Sequence, residues 1–91
     1  MEAVLWYVLT GTRGGENRAR ILQAVDDRPR NANQLADALD LDYKTVRHHL
    51  DVLVENDILE KGGEDYGAVY LLSEPARDHW DVIEEITGRL D

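Results

Sequence analysis

The chain has 91 residues and no cysteine. That excludes disulfides, thiolate metal sites and cysteine nucleophiles. Long apolar runs are also missing. The run from Ala3 to Leu9 is seven residues long, whereas a membrane span needs roughly 20. No basic flank precedes it, so no secretory signal is legible. The expectation is a soluble, cytoplasmic protein with no membrane partner. No GxxxxGK phosphate loop exists, and Gly14-Gly15 alone is too short a signal for one. Hydroxyl nucleophiles are scarce: Thr10, Thr12, Thr45, Ser73 and Thr87 are the only serines and threonines. Nothing orients one of them beside a histidine and an acid. Carboxylates are plentiful but scatter over solvent faces. The chain therefore reads as no enzyme, with no cofactor.

Basic charge is scarce as well, at ten bases against 19 acids and a net charge of -9. The imbalance is local. Residues 11–50 hold seven bases and six acids, whereas residues 51–91 hold three bases and twelve acids. The N-terminal half is the part suited to a polyanion, and the C-terminal half would repel one. Only Lys44 and Lys61 are lysines, and eleven of the acids are aspartates. Short hydrated acids with few lysines suit a cytoplasm of molar salt, where charge repulsion is screened. The bland alternative is compositional drift.

The apolar pattern sets out a series of short elements. Residues 1–10 form an apolar segment, either a helix packed on the body or a strand. Gly11, Gly14 and Gly15 break the chain, and helical periodicity begins near Asn17 with Ala19, Ile21, Leu22 and Val25. Pro29 ends that helix. Asn31 and Gln34 have capping-box spacing, and Leu35, Ala36 and Leu39 form the apolar face behind them. After a connection of three or four residues, Asp42 caps a further helix. Val46, His49, Leu50, Leu53 and Val54 line one side of it, and Tyr43, Lys44, Arg47, His48 and Asp51 fall mostly on the other. Residues 31–55 thus read as a helix-turn-helix. Residues 58–72 read as a β-hairpin, turning at Gly62-Gly63 and returning from Tyr66 to Leu72. Ser73-Glu74-Pro75 starts a last helix over 74–90, with Ala76, Trp80, Ile83, Ile86 and Leu90 at spacings of three and four.

That order is mainly α, an α+β winged helix domain over residues 1–91. The stretch QLADALDLDYKTVRHHLDVLV at 34–54 is more specific. Its Leu35-Ala36, Thr45-Val46, His49-Leu50 and Leu53 resemble the ArsR-type winged helix-turn-helix regulators, especially the short, (halo)archaeal kind. NDIL at 56–59 resembles that family's bend into the wing, with Asp57 where glycine is usual. The resemblance implies a DNA-binding transcriptional regulator. Metal-sensing members mostly use cysteines, which are absent here. Asp78, His79 and Asp81 form a weak metal signal, and no metal or small-molecule effector is obvious from the sequence. The wing departs too, because Lys61 is the sole base in EKGGEDYG.

Within this frame Arg47 and Lys44 are the leading DNA contacts. Three residues apart on one helix face, they suit a major groove in which arginine grips guanine through two donors. The bland alternative pairs them with Asp51 or Asp40. Tyr43 and Thr45 occupy the turn that meets the groove, although Tyr43 equally suits shielding the connection between the helices. His48 points outward beside Lys44 and Arg47, whereas His49 lies with the apolar residues as a packing histidine with a hydrogen bond. Asn33 sits at a helix N-terminus suited to phosphate, and Arg28 and Arg30 flank Pro29 just before the motif.

The apolar ends need cover. Pairing of two chains through Leu5, Trp6, Leu9, Trp80, Ile83 and Leu90 would give a twofold dimer with two reading helices. Packing of the first segment on the last helix within one chain is the alternative. The leading reading is a homodimeric, sequence-specific regulator of double-stranded DNA working in high salt. The runner-up is a winged helix used as a protein interaction module.

Overall fold

A computed structural model describes residues 1–63 and 67–90. Tyr66, placed in the return strand from the sequence, lies outside the described residues. The chain runs α1 (Glu2–Thr10), α2 (Gly15–Asp27), α3 (Ala32–Leu39), α4 (Tyr43–Glu55), β1 (Leu59–Gly62), β2 (Val69–Leu72), α5 (Glu74–Asp78) and α6 (Trp80–Leu90). It is a mainly α winged helix: a helix-turn-helix followed by a two-stranded antiparallel wing. No helix among the described residues is long and apolar enough to cross a membrane.

The first segment is a helix. Leu5, Val8 and Leu9, at helical spacing, are buried, while Val4 and Tyr7 remain exposed. One apolar stripe therefore suffices to dock α1, which packs on α2 and α6. Ile21, Leu22, Leu35, Leu50, Leu53 and Ile86 fill the centre of the core and are inaccessible to solvent.

Three of the residues expected at a chain-to-chain interface are core residues of the single chain. Leu5, Leu9 and Ile83 are fully buried within the chain itself. The first segment and last helix satisfy each other, so these three side chains need no second copy. Trp6, Trp80 and Leu90 are half-buried against the same core, and the Arg89 guanidinium lies 5.5 Å from the centre of the Trp6 ring.

The last helix is also broken. Residues 74–90 form two helices that meet at His79, which leaves helical dihedrals at φ -110° and ψ 24°. Its ring Nδ1 donates to the Pro75 carbonyl at 2.9 Å. The start matches expectation: the Ser73 hydroxyl accepts from Ala76 N–H at 3.1 Å. It also donates to the Asp57 carbonyl at 2.7 Å, tying the wing's exit to its entry.

The wing pairs Leu59 with Leu72 and Gly62 with Val69. Along β2 the side chains alternate, with Tyr70 and Leu72 turned inward and Val69 outward. A third segment joins it, unforeseen from the sequence. Arg30 N–H donates to Tyr70 O at 3.3 Å and Tyr70 N–H to Arg30 O at 2.8 Å. The residues just before α3 thereby hold the base of the wing.

Candidate nucleic-acid interface

The positions of α3 and α4 follow from their caps. Asn31 Oδ1 accepts from Gln34 N–H at 2.8 Å, and Gln34 Oε1 accepts from Asn31 N–H at 2.9 Å. This is the capping box read from the sequence. The α3 end is closed by Asp40 in the left-handed region, at φ 55°; aspartate is among the few non-glycine residues that visit it readily. Asp42 then caps α4, its carboxylate accepting from Thr45 N–H at 3.2 Å. Leu41 N–H bonds back to Ala36 O at 3.0 Å. The connection is therefore too short and too well bonded to let the two helices drift.

With α4 seated on Val46, His49, Leu50 and Leu53, its opposite flank is open. Tyr43, Lys44 and His48 are exposed, and Thr45 and Arg47 are half-buried. Arg47 lies back along the helix. Its Nη1 donates to the Tyr43 hydroxyl at 3.1 Å, and its guanidinium lies 5.9 Å from that ring's centre. Its Nε is shielded from solvent and has no hydrogen-bond partner among the described residues. The bond to Tyr43, followed by the charges of Tyr70 and Tyr43, pushes its pKa above the ordinary arginine value. The cation is permanent.

Tyr43 and Arg47 line one side of a recess of about 170 Å³. Asn31, Ala32 and Asn33 at the start of α3 form a second side, and Gly67, Ala68 and Tyr70 of the wing form the third. Helix geometry gives the N–H groups of Ala32 and Asn33 no acceptor within α3. The structure thus brings together Asn33, Tyr43 and Arg47, with Lys44 and His48 on the adjoining open flank. Among the described residues the ion pairs are Arg30–Asp27 and Arg89–Glu85. Lys44 and Arg47 pair with neither Asp40 nor Asp51.

Arg28 and Arg30 part company. Arg28 is exposed at the end of α2. Arg30 is committed internally: its Nε donates to Ala24 O at 3.0 Å and its Nη2 to Asp27 at 2.9 Å. Its guanidinium closes the end of α2 while its backbone holds the wing. Among the described residues, no group of three acids or histidines is arranged to hold a metal ion.

Sequence reasoning missed the other side of α4. Arg18 is buried, 5% exposed. Its Nε donates to His49 Nδ1 at 3.1 Å, and its Nη1 to Thr12 Oγ1 at 2.7 Å and Val8 O at 3.2 Å. The signal was present, because Arg18 shares helical spacing with Ile21, Leu22 and Val25. His49 is buried with a hydrogen bond, as its place on the apolar stripe implied. Arg20 was likewise missed; its Nη2 donates to Leu39 O at 2.9 Å and caps α3.

Residues 16–62, just over half of the chain, match a family model described as a helix-turn-helix domain. Several solved structures share the fold. The adhesin competence repressor AdcR from Streptococcus pyogenes superposes with a TM-score of 0.70 at 20% identity, over 98% of this chain and 66% of that one. Overoxidized AbfR bound to DNA gives 0.67 at 14% identity, over 98% and 68%. A protein from Methanosarcina mazei Go1, described as a possible transcriptional regulator, gives 0.61 at 22% identity, over 98% and 78%. At these identities the likeness is one of fold. The chain spans 61% and 66% of the length of the two AdcR structures it matches. No curated protein matches the sequence.

Proposed function

This chain belongs to the helix-turn-helix domain family, and from that premise we propose that it is a sequence-specific double-stranded DNA-binding transcriptional regulator. The observation that carries the reading is the open flank of α4. Tyr43, Lys44, Arg47 and His48 stand there, beside a recess shared with the start of α3 and the wing. In this reading α4 enters the major groove. Arg47 and Lys44 read base edges, Tyr43 and Thr45 meet the groove at the first turn, and His48 meets phosphate. Asn33 and the free N–H groups at the start of α3 take the backbone, with Arg28 on its outer side. Arg30 enters only as the residue that holds the wing. AbfR, which shares the fold, has been seen bound to DNA.

The finer assignment is a cytoplasmic ArsR-type regulator of the short haloarchaeal kind, a homodimer acting in high salt without a metal or small-molecule effector. The motif at 34–54 and the aspartate-rich, lysine-poor composition support it. Dimerisation draws on the outward face of α1, where Val4 and Tyr7 are exposed, together with the half-buried Trp6, Trp80 and Leu90.

The test is selection from a random duplex DNA library at about 2 M KCl, where non-specific phosphate binding is weak. An enriched inverted repeat is expected. The net charge of -9 favours a second reading, a protein interaction module. No enrichment by a demonstrably folded protein would transfer the weight to it.

A further inference from the structure

Arg18 is a buried base that, among the described residues, has no carboxylate partner. Its acceptors are His49 Nδ1, Thr12 Oγ1 and Val8 O. A guanidinium has donors only. His49 Nδ1 must therefore present a lone pair, and the imidazole is neutral with its proton on Nε2. The ring edge abuts Gly14, whose φ is +85° and at which a Cβ would stand 2.5 Å from His49 Cε1. One histidine on α4 thus meets α2 through Arg18 and the connection between α1 and α2 through Gly14.

We propose that the Arg18–His49 contact is an acid-sensitive clasp. A proton on His49 Nδ1 removes the acceptor, sets an imidazolium against a guanidinium, and releases α4 from α2. Because α4 carries the proposed DNA-reading flank, acid would also loosen DNA, a consequence that rests on the reading above.

The charges around His49 favour this sense. The main packing partners of α4 are α2, α3 and β1. Burial foremost, then Arg18 from α2, then His48 from α4 hold the His49 pKa below the ordinary histidine value. No carboxylate of α2, α3, α4 or β1 offsets them, and the one charged residue between Thr12 and Gly14 is the base Arg13. The folded-state pKa lies below the unfolded one, so the unfolded chain takes up the proton first. Stability is complete above the unfolded value of about 6.5 and falls as pH drops through it toward the folded value.

The experiment is nitrogen NMR of the imidazoles in the full chain, with amide exchange of α4, between about pH 8 and pH 5. At the alkaline end His49 is expected to be protonated on Nε2 only. On acidification α4 amides should lose protection in step with the His49 titration. His49→Asn, whose oxygen accepts from Arg18 but takes no proton in this range, should flatten the profile, whereas His48→Gln should keep the step and move its midpoint upward. An Nδ1-protonated His49 at the alkaline end, or α4 protection unchanged through its titration, overturns the clasp. If His49→Asn does not fold, the wild-type titration decides alone. On a selected duplex, affinity should fall about tenfold across the same step. Absence of DNA binding even at the alkaline end would count against the DNA-binding reading, while the clasp stands or falls on the NMR.

Discussion

The Arg47 guanidinium donates to the Tyr43 hydroxyl one helical turn earlier, at 3.1 Å. The bond holds the cation along α4, facing the start of α3 and the wing. Arg47→Ala is expected to leave the fold intact and to weaken specific DNA binding by about 1–3 kcal/mol, relaxing preference at one base position. Tyr43→Phe keeps the ring and removes the acceptor, so its loss should be smaller, about 1 kcal/mol. Fluorescence anisotropy on the selected duplex checks both. Unchanged affinity and specificity in the Arg47 variant would remove that residue from the interface.

Lys44 is expected to behave differently. It is exposed and makes no ion pair among the described residues. If it meets phosphate, Lys44→Ala should weaken all sequences alike and reduce the salt slope by about one. If it reads a base, the loss should concentrate at one position. Salt titrations on matched and mismatched duplexes separate the two roles.

The caps of the motif carry measurable stability. Asn31→Ala removes the Oδ1 that accepts from Gln34 N–H while keeping the backbone N–H that donates to Gln34 Oε1, and should cost about 1 kcal/mol. Chemical denaturation at constant salt reads this directly, and a shift indistinguishable from zero would mean that water replaces the cap.

Asp57 sits at φ 60°, which explains glycine at the matching place in the resembling family. Its carbonyl takes the Ser73 hydroxyl, an interaction of the backbone that any residue keeps. Asp57→Ala should cost about 1 kcal/mol, because a Cβ is disfavoured there and alanine lacks the local hydrogen bonds of aspartate. Asp57→Gly should be neutral or stabilising, and a thermal melt of the pair decides the order.

Interface and core variants should separate cleanly. Ile83 is fully buried, whereas Tyr7 is 64% exposed. Ile83→Ala should cost about 2–5 kcal/mol whatever the assembly state. Tyr7→Ser should leave monomer stability within about 0.5 kcal/mol, yet lower the dimer population in sedimentation if α1 supports pairing. A dimer untouched by Tyr7→Ser would place the interface elsewhere.

The helix-turn-helix was legible because its signals are local. Asn31 with Gln34, Asp42 before Thr45, and the apolar spacing of Val46, Leu50 and Leu53 each act within one or two turns, and each appears in the structure. Packing of Leu5 and Leu9 within the chain was not decided in advance, because periodicity shows that a face must be covered and not by what. The break at His79 escaped notice for a related reason: spacings of three and four continue through Trp80, so the apolar stripe reads straight across it.

Sequence alone determined the order of the helix-turn-helix and the wing, the capped motif, the outward flank of Tyr43, Lys44 and Arg47, and the polarity of charge along the chain. All of these depend on composition or on contacts a few residues apart. Tertiary structure decided the rest: that Arg30 braces the wing, that Arg18 reaches 31 positions to His49, and that Gly14 leaves room for that ring. Those pairings join residues far apart in the chain. Whether an arginine is a free cation or a buried strut depends on which acceptors the fold brings within about 3 Å.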